Sequence, residues 1–142
     1  MLVLTWAIGL FMLLELMNVA TLYLAPESRK ANGVGVFAAW ERSRADPELH
    51  QFVRYLVYWV AGTKLIFLAL LAIVLTMGSD QVKTAASAVL AVSIAVFFWR
   101  MFPLARRIDA AGQMVPAGYS RVLGIMIGVM VAVFAIGAVL TA

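Results

Sequence analysis

Apolar positions along this chain come in long blocks and do not alternate with polar ones. Four stretches, at about 2–24, 52–77, 82–102 and 122–140, are each long enough to cross a bilayer, which takes about 20 helical residues. Only helices and closed barrels satisfy the backbone in lipid, and barrel strands would be shorter and would alternate. The pattern predicts an all-α integral membrane protein, a single four-transmembrane-helix bundle over residues 1–142. Its helices are expected at about 2–24, 47–77, 81–111 and 121–141, with loops 25–51 and 103–121 on one side.

Local signals refine these boundaries. Ala25-Pro26 stops the first helix. Asp46-Pro47-Glu48 supplies a cap, a first-turn proline and a first-turn acid, so the second helix begins near Pro47. Gly78-Ser79-Asp80 makes a tight turn in which Asp80 is expected to cap the third helix. That helix is expected to kink near Pro103 and to stop at Gly112. Within the first loop, Val36, Phe37 and Trp40 share one side of a short helix, predicted to lie on the inner leaflet.

Composition removes the competing classes. The chain is 65% hydrophobic and 13% charged with a mean hydropathy of +1.00, against about 45–50% apolar and about 25% charged in soluble domains. No cysteine is present, which excludes disulfides and thiolate chemistry. His50 is the single histidine, so ordinary zinc and bis-histidine haem sites cannot be built within one chain; no metal or cofactor is expected. Gly33-Val-Gly35-Val-Phe-Ala38 imitates a dinucleotide-binding glycine pattern but follows no strand. No serine-histidine-acid or phosphate-loop constellation is present, so a hydrolase or nucleotide-driven pump has no machinery here.

Charge placement sets an expected orientation. Arg29, Lys30, Arg42, Arg44 and Arg54 lie in or beside the first loop, and Arg100, Arg106, Arg107 and Arg121 flank the second. Basic residues in short loops stay cytoplasmic, which puts both termini on the non-cytoplasmic side of a multi-pass plasma-membrane protein, of bacterial cytoplasmic-membrane type. The first apolar run lacks a basic leader and is longer than a signal-peptide core, so it is kept as a helix. Glu27, Glu41, Asp46 and Glu48 nearly cancel the basic charges of the first loop, which argues against a nucleic-acid partner. The expected partner is the lipid bilayer.

Two charges escape this explanation. The first helix is centred near residue 13 and the second near residue 65, so Glu15 and Lys64 both fall within about 3 Å of the midplane. An unpaired charge there costs about 2.5–3.5 kcal/mol. Opposite signs, equal depth and adjacent antiparallel helices point to a mutual ion pair, with Asn18 on the same face. The pair either fixes helix packing, or forms a proton or cation site, or joins two subunits. Around Glu15 the face is Leu4, Ile8, Phe11, Asn18 and Leu22; around Lys64 it is Val57, Val60, Ala61, Leu68, Leu71 and Leu75. Beyond Asn18 no polar stripe leads to either surface.

Gly124, Gly128 and Ala132 form a small-residue stripe on the fourth helix, and Thr84, Ala88, Ala91 and Ala95 form another on the third. Such stripes let helices approach closely, either inside one bundle or between copies, and a homo-oligomer or subunit of a larger membrane complex is expected. Aromatic residues crowd the basic boundary as an interfacial belt. Among them Arg100, Trp99, Trp59 and Tyr58 are candidate contacts for a lipid headgroup or a quinone-like ligand.

The stretch Trp40-Glu41-Arg42-Ser43-Arg44-Ala45-Asp46-Pro47-Glu48 loosely resembles the Glu-Arg…Arg-Ala…Asn…Glu signature of the membrane-associated proteins in eicosanoid and glutathione metabolism. Arg100 lies near where that family has an arginine in its third helix. Length, four-helix plan and long first loop are similar, and the resemblance implies trimeric assembly and chemistry on a lipophilic substrate. The spacing departs by a residue, the asparagine is absent, Pro47 interrupts the motif and Lys64 has no counterpart, so no site is carried over. The expected function is a non-enzymatic subunit or homo-oligomeric assembly component. A small ion- or proton-coupled transporter using Glu15 is the first alternative, and a membrane enzyme or lipophile-binding protein near Arg100 the second.

Overall fold

The computed structural model describes residues 2–141. Helix α1 covers Leu2–Leu24, and a 3-10 turn at Val34–Val36 leads into the short α2, Ala38–Ser43. Helices α3 (Pro47–Met77), α4 (Asp80–Ala95), α5 (Phe97–Ala110) and α6 (Tyr119–Thr141) complete the chain. Four helices are long and apolar enough to cross a membrane: α1, α3, α6, and α4 with α5 taken together over Asp80–Ala110. The only extended pairing among the described residues is an isolated bridge between Phe37 and Met114.

Helix ends follow their capping chemistry, with one change of residue. The Asp46 carboxylate accepts from the amides of Glu48 and Leu49, both at 3.1 Å, and Pro47 takes the first helical position. At the α3–α4 turn the cap is Ser79 and not Asp80. Ser79 has extended backbone and its hydroxyl accepts from the Val82 amide at 3.4 Å. Asp80 is the first helical residue, where its negative charge faces the positive end of the helix.

The expected kink at Pro103 is also corrected. Pro103 lies inside α5, and the interruption falls at Val96, between α4 and α5. There the Trp99 amide bonds the Val96 carbonyl at 3.0 Å, an i to i−3 bond that tightens the turn. The tightened turn accompanies a cluster of phenyl rings: Phe97, Phe98 and Phe102 have centroids 5.3–5.9 Å apart.

Packing runs in pairs. α1 lies along α3, α4 along α6, and α5 against the start of α6. Two apolar layers fill the bundle. One contains Leu4, Ile8, Phe11, Leu71, Ala91 and Phe134; the other contains Val19, Leu22, Trp40, Val57, Ala61 and Leu68. Lipid tails are as apolar as these side chains, so close fit and polar bonds hold helices together, and release of water does not. Phe11 meets the edge of Phe134 at 5.3 Å, and the Thr84 and Thr141 hydroxyls join α4 to α6 at 2.9 Å. Gly124 sits under the Phe102 ring, where an added Cβ would come within 2.5 Å of it.

The apolar residues expected to face the inner leaflet around the short helix α2 turn into the bundle instead. Trp40 is only 4% exposed and packs against α1 and α3, and Val36 is equally buried. The first loop is instead stitched to the second. The Ala38 amide donates to the Gln113 carbonyl at 2.9 Å, the Val115 amide to the Val36 carbonyl at 2.8 Å, and the Arg42 guanidinium to Gln113 Oε1 at 2.9 Å. Gly35 packs on the carbonyl of Glu27 so closely that no Cβ would fit. That crowding explains the glycine pattern of this loop without a nucleotide.

Candidate functional site: a charged cluster between two apolar layers

Glu15 and Asn18 are three residues apart on α1, which puts them on one face, and Lys64 faces them from α3. The Lys64 ammonium donates to Glu15 Oε2 at 2.7 Å and to Asn18 Oδ1 at 2.5 Å. The other end of the Asn18 amide, Nδ2, donates to the backbone carbonyl of Ala31 at 2.6 Å. Ala31 belongs to the first loop, which turns back beside α1 through Ala31 and Asn32 at φ +49° and +57°. Six residues separate Asn18 from the end of α1, about 9 Å at the helical rise, so the loop reaches well below the helix end. The Tyr119 hydroxyl holds the same turn by donating to Asn32 Oδ1 at 2.8 Å.

The cluster lies between the two apolar layers. Phe11 and Leu71 stand on one side of it, and Val19, Ala61 and Leu68 on the other. Met12 and Phe67 touch both layers and close around it. The Lys64 and Glu15 side chains retain 25% and 19% exposure, while Asn18 is buried at 5%. Toward the end where α1 begins, Leu4, Ile8, Phe11 and Phe134 form a continuous apolar seal. The arrangement therefore holds a fixed charge pair.

A second polar group of side chains lies toward the loop end. A cavity of about 370 Å³ is bounded by Tyr23, Trp40, Arg44, His50, Arg54 and Tyr58 among others. The buried Ser43 hydroxyl donates to the Trp40 carbonyl at 2.7 Å and lies 2.8 Å from His50 Nδ1. With that hydroxyl hydrogen spent, His50 Nδ1 is the donor of the second bond. The Arg54 guanidinium donates to the Tyr58 hydroxyl at 2.7 Å, and Tyr58 stacks on Tyr23 with centroids 5.6 Å apart. Trp40 Nε1 is buried without an acceptor among the described residues.

The other candidates from the sequence are dispersed. Arg100 lies over the ring of its neighbour Trp99 at 5.1 Å on α5. Tyr58 belongs to the cavity just described, and the exposed Trp59 sits beside Tyr55 at 6.3 Å. Of the small-residue stripes, Ala91 is buried in the core, whereas Ala88 and Ala132 are exposed and Ala95 is half-buried. Gly124 and Gly128 face the phenyl rings of Phe102 and Phe98 within the same chain. Among the described residues no group of three histidine or acidic side chains converges as a metal site would require.

The Ala31 carbonyl carries no residue-type signal, and the sequence alone could not nominate it; Asn32, a residue tolerant of positive φ, was the nearest hint. Comparison with family models, curated proteins and solved structures finds no match for this chain.

Proposed function

We propose that this chain is a non-enzymatic structural component of a membrane assembly, in which the Glu15–Lys64–Asn18 cluster fixes how α1 and α3 meet. One observation carries the reading: the Lys64 ammonium bridges Glu15 and Asn18, and Asn18 is in turn anchored on the first loop. Each of the three polar side chains of the cluster thus finds a partner inside one chain, as a packing device requires. The basic residues of both loops favour a cytoplasmic position for them, with both termini across the bilayer in a bacterial-type cytoplasmic membrane. Four short helices with a thin core, and broad exposed apolar faces, favour a homo-oligomer or a subunit of a larger complex.

The test is a double-mutant cycle. Glu15→Gln or Lys64→Met alone leaves one charge unpaired and is expected to cost about 3 kcal/mol, seen as lower membrane yield and a lower unfolding midpoint. The double variant is expected to recover most of that loss. A Glu15→Gln protein that folds and inserts normally but loses proton or cation uptake in vesicles would replace this reading with the transporter. That alternative draws on the polar cavity bounded by His50, Arg54 and Tyr58, which lies on the same side as the loop contact to Asn18.

A further inference from the structure

The junction of α5 and α6 holds a cavity of about 660 Å³ whose lining divides by chemistry. Arg106 and Arg121 are among its lining residues. So are the apolar Phe98, Phe102 and Ile125, with Gly124 between them. Asp109 is the carboxylate of the cavity, and its partners are neutral, so the lining carries two positive charges against one negative. Oδ1 accepts from the Gly118 amide at 2.9 Å, and Oδ2 accepts from the Ser120 amide at 2.9 Å and the Ser120 hydroxyl at 2.6 Å. Those three bonds hold the turn between α5 and α6 that leads to Arg121. Among the described residues neither arginine takes part in an ion pair.

We propose that this cavity seats an anionic phospholipid of the adjoining leaflet, its phosphate between Arg106 and Arg121 and an acyl chain along Phe98, Phe102 and Ile125. Guanidinium groups match phosphate oxygens in geometry and charge. Arg106 lies near the end of α5 and Arg121 near the start of α6, at the ends of the two apolar spans, where a bilayer's phosphates would meet them. The glycine at 124 matters to the shape, because a side chain there would strike the Phe102 ring that walls the groove. An amphiphile with one anionic end and one long apolar end complements this lining; a zwitterionic headgroup gains less from two guanidiniums, and a soluble anion leaves the apolar half unfilled. The inference is independent of the Glu15–Lys64 cluster.

The experiment uses the full chain in mild detergent, exchanged against phosphatidylglycerol or phosphatidylcholine and followed by native mass spectrometry. The intact protein is expected to retain phosphatidylglycerol about tenfold better, a difference of about 1.4 kcal/mol. Arg106→Gln/Arg121→Gln is expected to abolish that preference with an unchanged unfolding midpoint, because both side chains are exposed. Arg29→Gln/Lys30→Gln removes the same charge from the exposed surface of the other loop and is expected to leave the preference intact. Equal retention of the two lipids by the intact protein overturns the proposal. So does an equal loss from both double variants, which would mean diffuse attraction without a seat. Full displacement of the lipid by millimolar glycerol phosphate would also overturn it, assigning the arginines to a soluble anion.

Discussion

Asn18 is the residue through which the charged cluster reaches the rest of the fold. Its carbonyl oxygen receives Lys64 and its amide nitrogen reaches Ala31, so Asn18→Leu breaks two contacts with one change. Polar bonds between membrane helices are each worth on the order of 1 kcal/mol, and Asn18→Leu is expected to lower stability by about 1–2 kcal/mol. Asn18→Gln keeps the groups but moves them by a methylene, and is expected to recover only part. Thermal unfolding in detergent reads both, and an unaltered midpoint in Asn18→Leu would show that Lys64 needs Glu15 alone. The positions of Glu15, Lys64 and Asn18 were legible in the sequence because depth follows from counting residues at a constant rise, and face follows from a spacing of three. The Ala31 contact was not, since any residue offers a carbonyl and only the path of the loop selects one.

Among the elements, the α5–α6 contact is the most demanding of shape. Gly124→Ala drives a methyl against the Phe102 ring and is expected to destabilise by about 1–3 kcal/mol. Phe102→Leu in the same chain relieves the overlap and is expected to restore part of the loss, as chemical denaturation would register. Helix length and caps were written plainly at Asp46 and Pro47. The break at Val96 was not, because no glycine or proline marks it, and Pro103 drew attention seven residues downstream. Trp40 misled for another reason. A helix face rich in apolar residues looks the same whether it meets lipid or its own bundle, and only the stitching of Val36 and Ala38 to Val115 and Gln113 decides. The Arg106–Arg121 cavity was hidden likewise, because the turn that Asp109 holds between α5 and α6 brings residues 15 positions apart to one lining.

For the whole molecule, four spans leave the first loop and the 111–118 turn on one side, and the hydrogen bonds between them require it. The cysteine-free sequence makes this directly testable by single-cysteine labelling. Ser79→Cys is expected to react with an impermeant maleimide added to intact cells, and Ala111→Cys only after permeabilisation. The reverse pattern would invert the proposed orientation while leaving the bundle intact. Assembly is tested by native mass spectrometry in mild detergent, where a stable multimer or a co-purifying partner is expected and a clean monomer would count against a subunit role. Because Gly124 is already covered by the Phe102 ring of α5, substitutions there are expected to disturb the fold before they disturb association.

The separation of Glu15 and Lys64 along the chain has a consequence for biogenesis. Their bond joins residues 49 positions apart, so the ribosome finishes α1 well before it makes the ammonium that neutralises it. A lone carboxylate at the middle of a nascent helix has a standing cost of about 3 kcal/mol in lipid, and nothing in α1 offsets it. The favourable course is for α1 to wait at the translocon until Lys64 emerges and for both to partition sideways together as a hairpin. Chains stalled before residue 64 are thus expected to stay extractable at alkaline pH, and those extended through α3 to resist extraction.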